Sequence, residues 1–323
     1  MLLRILHRTR YRYHGAIDMA QHMVHLRPVD TTHQHVLEHE LRIDPEPAAR
    51  GETTDVFGNQ RTFFSLQSTH SVLTVEADSL VETQAPLPLP EGPPWRAMSW
   101  ERVREHFRYR AQAPFDAASE FLFASPYVPR DDAFAAFARP AFKPGLPALA
   151  AARALMERIH GELSYETDST EVNTPALEAL EQGKGVCQDF AHIMLGCLRT
   201  LGLPARYVSG YLLTRPPPGK PRLIGADASH AWVSVYVPLP VDGDEPAQDA
   251  ATAGAWFDFD PTNNRCGWGS PGEDYVTLAT GRDFADVSPM RGVIQSGARH
   301  TLAVAVTVAP PDELGQLEAL EDA

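Results

Sequence analysis

The sequence predicts an α+β fold in which one helix packs on an antiparallel sheet, with a small β domain ahead of it. Three observations carry this. Strand-like alternation dominates from Tyr11 to about Glu82. A ten-residue stretch that is half proline, Ala85–Pro94, then interrupts the chain. Beyond it, helical-period runs give way to a series of strand segments.

The alternation is clearest in VLTVEADSLVE, where Leu73, Val75, Ala77 and Val81 fall on one face and Thr74, Glu76 and Asp78 on the other. The turn DVFGN (Asp55–Asn59) separates two such runs. APLPLPEGPP can continue neither a helix nor a central strand. Residues 86–95 therefore read as a stiff linker between a β domain at 1–85 and a second domain at 96–310. There, Leu146, Leu149, Ala152, Met156, Ile159 and Leu163 recur at helical spacing and predict an amphipathic helix. Thr174 reads as an N-cap with Pro175 at the first helical position, and the helix that follows breaks at Gly183-Lys184-Gly185. Cys187 opens the next helix. Its expected buried face is Phe190, Ile193, Met194, Cys197, Leu198 and Leu201, and Gly202 and Pro204 end it. ARYVSGYLL, HAWVSVYVP, AWFDFDP and HTLAVAVTV then read as the strands against which that helix packs. Residues 311–323 form an acidic tail expected to fray.

With 323 residues, 43% hydrophobic and 22% charged, the chain is long enough for two domains with sizeable cores. A net charge of −14 disfavours phosphate backbones and anionic lipid as partners, so neither a nucleic-acid nor a membrane role is expected. The opening MLLRILHRTRYRYHG has only two short apolar runs, split by Arg4, and does not read as a signal peptide. Three cysteines, Cys187, Cys197 and Cys266, cannot build a disulfide framework and fit a reducing, cytoplasmic setting.

Cys187 sits at a helix start after two glycines. Unpaired N–H groups there carry partial positive charge and favour a thiolate, which makes a cysteine nucleophilic near neutral pH. A lone cysteine is also commonly a buried core residue, so the position needs a base to become a site. His230 supplies one. It begins a strand whose other face, Ala231, Val233, Val235 and Val237, is core, and it leads the more polar face. His192 is nearer in sequence but lies about 140° around the helix from Cys187, so it reads as structural. An acceptor for the imidazole comes from FDFDPTNN, which offers Asp258 and Asp260 on one strand face. Spacing alone does not choose between them.

Three ordered blocks, GVCQDFAHIMLGCLRTLGLPARYVSGYL, DASHAWVSVYVP and WFDFDPTNN, resemble those of the transglutaminase-like superfamily, with its papain-related core. HRTRYRYHG, LRP, DVFGN and GRDFADVSP are similar to a bacterial subfamily carrying its own N-terminal β domain. The resemblance implies a thiol enzyme with Cys187 as nucleophile, His230 as base and Asp260, in the DPTN-type block, as the orienting carboxylate. It implies an oxyanion donor upstream, for which Tyr165 is the nearest candidate; a core tyrosine is the competing reading. It implies hydrolysis of a peptide, isopeptide or other amide through a thioester. Transfer of the acyl group to an amine and a non-catalytic peptide-binding scaffold are the alternatives. No cofactor and no metal are expected, since VDGDE (Val241–Glu245) does not match a calcium loop. Family analogy also points to ATP-grasp-like proteins as partners.

Two further features are weighed. His33, His35 and His39 would share one strand face and invite a zinc reading, but no cysteine or carboxylate joins them at a recognised spacing. The segment Thr214–Ser229, rich in proline and bearing Arg215, Lys220 and Arg222, reads either as a surface connector or as a lid over the site.

Overall fold

The computed structural model describes residues 1–92, 94–167, 169–170, 172–214, 229–239, 254–295, 297 and 299–313. Residues 215–228 of the Thr214–Ser229 segment, Val241–Glu245 and residues 314–323 of the acidic tail lie outside them.

The N-terminal part contributes β1 (Leu2–Ile17), β2 (Ala20–Val24), β3 (Gln34–Asp44), β4 (Ala49–Thr54), β5 (Gln60–Leu66) and β6 (His70–Thr83). The helical part follows with α1 (Trp100–His106), α2 (Asp132–Ala138), α3 (Ala148–Glu162), β7 (Ser164–Tyr165), α4 (Ala176–Gln182), β8 (Lys184–Gly185) and α5 (Cys187–Thr200). The chain ends with β9 (Ala205–Leu212), β10 (Ser229–Pro238), β11 (Gly254–Asp260), β12 (Arg265–Trp268), β13 (Tyr275–Gly281), α6 (Phe284–Val287), β14 (Met290–Ile294) and β15 (His300–Ala309).

The predicted inner face of β6 is buried, and Leu73, Val75 and Ala77 share a core with Ala20, Val24, Phe64 and Leu66. This core joins two antiparallel sheets, ordered β15-β1-β6-β3 and β14-β2-β5-β4. Both sheets include a strand from the far end of the chain. HTLAVAVTV, read from sequence as part of the second domain's sheet, instead pairs with β1 from Tyr13↔His300 to Arg4↔Ala309, and β14 pairs with β2. The β domain is thus closed by residues 290–309, which the sequence reading had placed within 96–310. Alternation identifies a strand but not its partner, hence the difference.

Strands β9–β13 form a five-stranded antiparallel sheet, β12-β11-β10-β9-β13, while β7 and β8 pair in parallel with each other. Ala231, Val233, Val235 and Val237 of β10 face the helices and pack with Phe190, Ile193, Met194, Cys197 and Leu198 of α5. α5 is buried from Asp189 to Arg199, on more than the one expected face. Helix α2 covers its other side so closely that a Cβ on Gly196 would lie 2.9 Å from the Phe134 ring. α4 begins one residue later than expected, with Pro175 rather than Thr174 at the N-cap.

Both edges of this sheet are covered. On one side the proline-rich linker lies against β12, where Trp268 N–H donates to Leu87 O at 2.8 Å. On the other, side-chain amides of the β domain take the place of a neighbouring strand along β13. Gln34 accepts from Thr277 N–H (2.7 Å) and donates to Thr277 O (2.8 Å), and Asn59 of the DVFGN turn does the same at Thr280 (2.8 and 2.7 Å). Unpaired strand edges invite aberrant pairing, and these contacts occupy them. Among the described residues no helix is long and apolar enough to cross a membrane.

Candidate active site

Cys187 is the first residue of α5 and is partly buried. The helix start is held by Asp189, whose Oδ2 accepts from Val186 N–H (2.8 Å) and from Thr170 Oγ1 (2.6 Å). Packing requires the glycine at position 185: a Cβ there would stand 2.6 Å from Asp189 Oδ2 and 2.7 Å from its Cβ. Gly185→Ala is therefore expected to push Asp189 off the helix entry, costing about 2 kcal/mol of stability. Chemical denaturation checks this, and an unchanged midpoint would refute the tight packing. Burial raises the Asp189 carboxyl above its ordinary range, opposed by those two hydrogen bonds.

His230 is the second residue of β10, opposite Gly210 of β9. Its Nε2–H donates to Asp260 Oδ2 at 2.7 Å, and both residues are buried. The Cys187 thiol is among the groups that raise the pKa of the same imidazole, which places the sulfur near it. With Nε2 committed to Asp260, Nδ1 is the nitrogen left for sulfur. Burial lowers the imidazole pKa, but donation to Asp260, the neighbouring Cys187 and the negative charge of both outweigh it and raise the pKa to about 10. Asp260 moves the other way. Burial alone would raise it, but His230, Tyr275 and Asn263 hold it below the usual carboxylate range.

Asp260 is anchored by five donors. Oδ2 accepts from His230, from the Tyr275 hydroxyl (2.7 Å) and from Asn263 Nδ2 (2.7 Å). Oδ1 accepts from the N–H groups of Thr262 (2.8 Å) and Asn263 (3.2 Å). The backbone pair is readable from DPTN, where an aspartate at a strand end captures the turn that follows. Tyr275 is not: it arrives from β13, a strand the sequence reading did not identify.

Asp258, left open by spacing, takes another environment. It accepts from Trp232 Nε1 (3.2 Å), and burial pushes its pKa up to about 6 against the pull of Arg206, whose guanidinium sits 4.2 Å over the Trp256 ring. His192 is fully buried, stacked with Tyr127, and accepts from Phe284 N–H at 3.2 Å; burial lowers its pKa to about 3. Tyr165 is 52% exposed, edge-on to Phe190 at 6.3 Å. Burial, then the Cys187 charge, raises its phenol pKa, so it lies within electrostatic reach of the sulfur.

Cys197 and Cys266 are both pushed up by burial. His33, His35 and His39 do not converge. A register shift between Val36 and Glu38 puts His35 and His39 on opposite faces of β3, and His39 bonds to Ser79 Oγ at 2.9 Å. Among the described residues no three His, Cys, Asp or Glu side chains group as a metal site.

A cysteine at a helix start, with an imidazole and a carboxylate from adjacent strands, is an arrangement for which comparison with known proteins finds a family. The profile described as transglutaminase-like superfamily covers residues 135–261, and the one described as bacterial transglutaminase-like N-terminal region covers residues 3–82. An uncharacterized protein of Mycobacterium tuberculosis is 37% identical over 310 residues, spanning 95% of this chain and 92% of its own; one of Mycobacterium leprae is 30% identical over 313 residues, 95% and 98%. The crystal structure of a candidate cysteine protease from Cytophaga hutchinsonii superposes with a TM-score of 0.68 at 22% identity, over 97% of this chain and 91% of that one. The chain belongs to the transglutaminase-like superfamily, in its bacterial form with the N-terminal β region. Membership supports a cysteine-dependent hydrolase or transferase as its class.

Proposed function

We propose that the protein cleaves a peptide, isopeptide or other amide bond through a thioester on Cys187, with His230 as acid–base and Asp260 as the residue that orients it. The observation that carries this reading is the buried His230 Nε2–Asp260 hydrogen bond, with Cys187 at a helix start near enough to the imidazole to shift its pKa. An imidazole this strongly supported holds its proton at neutral pH and can stabilise a negatively charged sulfur beside it during attack.

The thiolate attacks the carbonyl carbon, an S–C bond forms, and the C=O π pair moves to oxygen. The developing oxyanion meets the first-turn N–H groups of α5, with Tyr165 as a second donor from the side. Collapse breaks the C–N bond as His230 gives its proton to the leaving amine. Water then adds to the thioester while His230 takes its proton, and the acid leaves as Cys187 is restored.

The experiment is to incubate the wild type with peptides from a cell extract, quench in acid and map the Cys187 peptide by mass spectrometry. The expected adduct is an acyl group removed by hydroxylamine and absent from Cys187→Ala. Its absence from the wild type would overturn the reading. Adding a primary amine during turnover measures how much acyl group goes to amine rather than to water.

A further inference from the structure

We propose that the N-terminal β domain is a working part of the active site: it fixes β13, and through it Tyr275, whose hydroxyl sets the basicity of the Asp260–His230 pair. This rests on the reading of Cys187 and His230 given above.

β13 is an edge strand, bonded to its own sheet on one side only, through β9. Its register on β9 breaks between Thr277 and Ala279, so its own ladder does not hold it evenly. The β domain supplies what the ladder lacks. Gln34 brackets Thr277 just where the register breaks, and also donates to Val29 O at 2.7 Å, which ties the amide back to its own domain. Asn59, 1% exposed and itself fixed by Asp55 (2.8 Å), brackets Thr280. The outward face of β13 is gripped as well. Val276 and Leu278 are buried with Leu3, Ile5, Val81, Val306 and Val308 of the β domain.

Alternation then turns Tyr275, next to Val276, to the opposite face. There it meets the site: its ring lies 5.8 Å from His230 and 5.4 Å edge-on to Trp232, and its hydroxyl donates to Asp260 Oδ2 at 2.7 Å. Arg265, stacked 4.8 Å over the Tyr275 ring and paired with Asp274 at 2.7 Å, closes the remaining side. Tyr275 does not touch the sulfur. It is a positioning residue, and its lever is electrostatic: each donor taken from Asp260 Oδ2 leaves more negative charge for the imidazolium.

The sign follows. In Tyr275→Phe the carboxylate loses one of three donors on Oδ2, binds the imidazolium more tightly, and holds the His230 proton to higher pH. In Gln34→Ala, β13 is released at Thr277, the Tyr275 contact loosens, and the shift has the same sign and a smaller size.

The test is the pH dependence of Cys187 alkylation by iodoacetamide in the full-length protein, read by mass spectrometry of that cysteine. The wild type is expected to show two steps, the upper one marking loss of the imidazolium proton. Tyr275→Phe should move the upper step up by about one pH unit, and Gln34→Ala by about half as much. Arg42→Ala, which breaks an exposed pair with Glu40 in the same domain, should leave both steps in place. If Tyr275→Phe folds poorly, Gln34→Ala still decides. A two-step wild type with unmoved steps in both variants overturns the positioning role alone. A wild type with a single ordinary thiol step overturns the nucleophile–base reading beneath it.

Discussion

Asp260→Asn is expected to lower turnover on the order of 10⁴-fold, because the change removes the charge while keeping the shape. The asparagine must present an oxygen to His230, Tyr275 and Asn263 at once, and its NH₂ then faces the N–H groups of Thr262 and Asn263. Turning the amide over instead sets NH₂ against His230 Nε2 and favours the wrong tautomer. Either way His230 loses the partner that holds its pKa near 10. Turnover, together with Cys187 alkylation at pH 6, checks this: both should collapse. Asp258→Asn, by contrast, removes a group bonded to Trp232 and should affect turnover far less.

The second large effect is acid lability. Burial lowers the pKa of His7 and His22 to about 4 and that of His192 to about 3. These folded values lie below the unfolded value of about 6.5, so the unfolded chain binds more protons between them and stability falls as pH drops through this window. Each fully buried imidazole contributes up to about 1.4 kcal/mol per pH unit. His230 offsets only a small part of the loss. Its folded pKa is raised, so its contribution is complete below about pH 6.5 and fades only as pH rises toward 10. Asp260, depressed in the fold, adds its own loss below about pH 4. The unfolding midpoint is therefore expected to drop by about 10 °C or more from pH 7 to pH 5. A thermal scan in which the midpoint stays level or rises would contradict the burial of these rings.

How much of this was legible depends on the range of the interaction. Cys187 at a helix start, and the inner face of β10, follow from local periodicity, and both were read correctly. The choice between Asp258 and Asp260 is not local. Two residues apart on one strand, they have the same alternation, and what separates them is which side chain of β10 each reaches diagonally: Asp258, opposite Ser234, meets Trp232, and Asp260 meets His230. Tyr275 and Gln34 were missed for the same reason. Tyr275 reaches a carboxylate 15 residues away in the chain, and Gln34 a strand 243 residues away, so neither leaves a mark in its own neighbourhood. β15 is the sharpest case: HTLAVAVTV declares itself a strand, yet its partner is residues 4–13. DVFGN was visible as a turn, while the docking role of Asn59 became visible only with Thr280 beside it.

The central claim, that Cys187 is a thiolate maintained by His230, is tested most directly by cysteine-resolved alkylation at pH 6. An ordinary thiol of pKa about 8.5 is about 0.3% ionised there, so a maintained thiolate should react roughly 10²-fold faster. Cys197 and Cys266, raised by burial, serve as internal standards. The account predicts that Cys187 is modified at least that much faster than either, and that His230→Ala erases the difference. Equal rates at the three cysteines, or an advantage that survives His230→Ala, would contradict it.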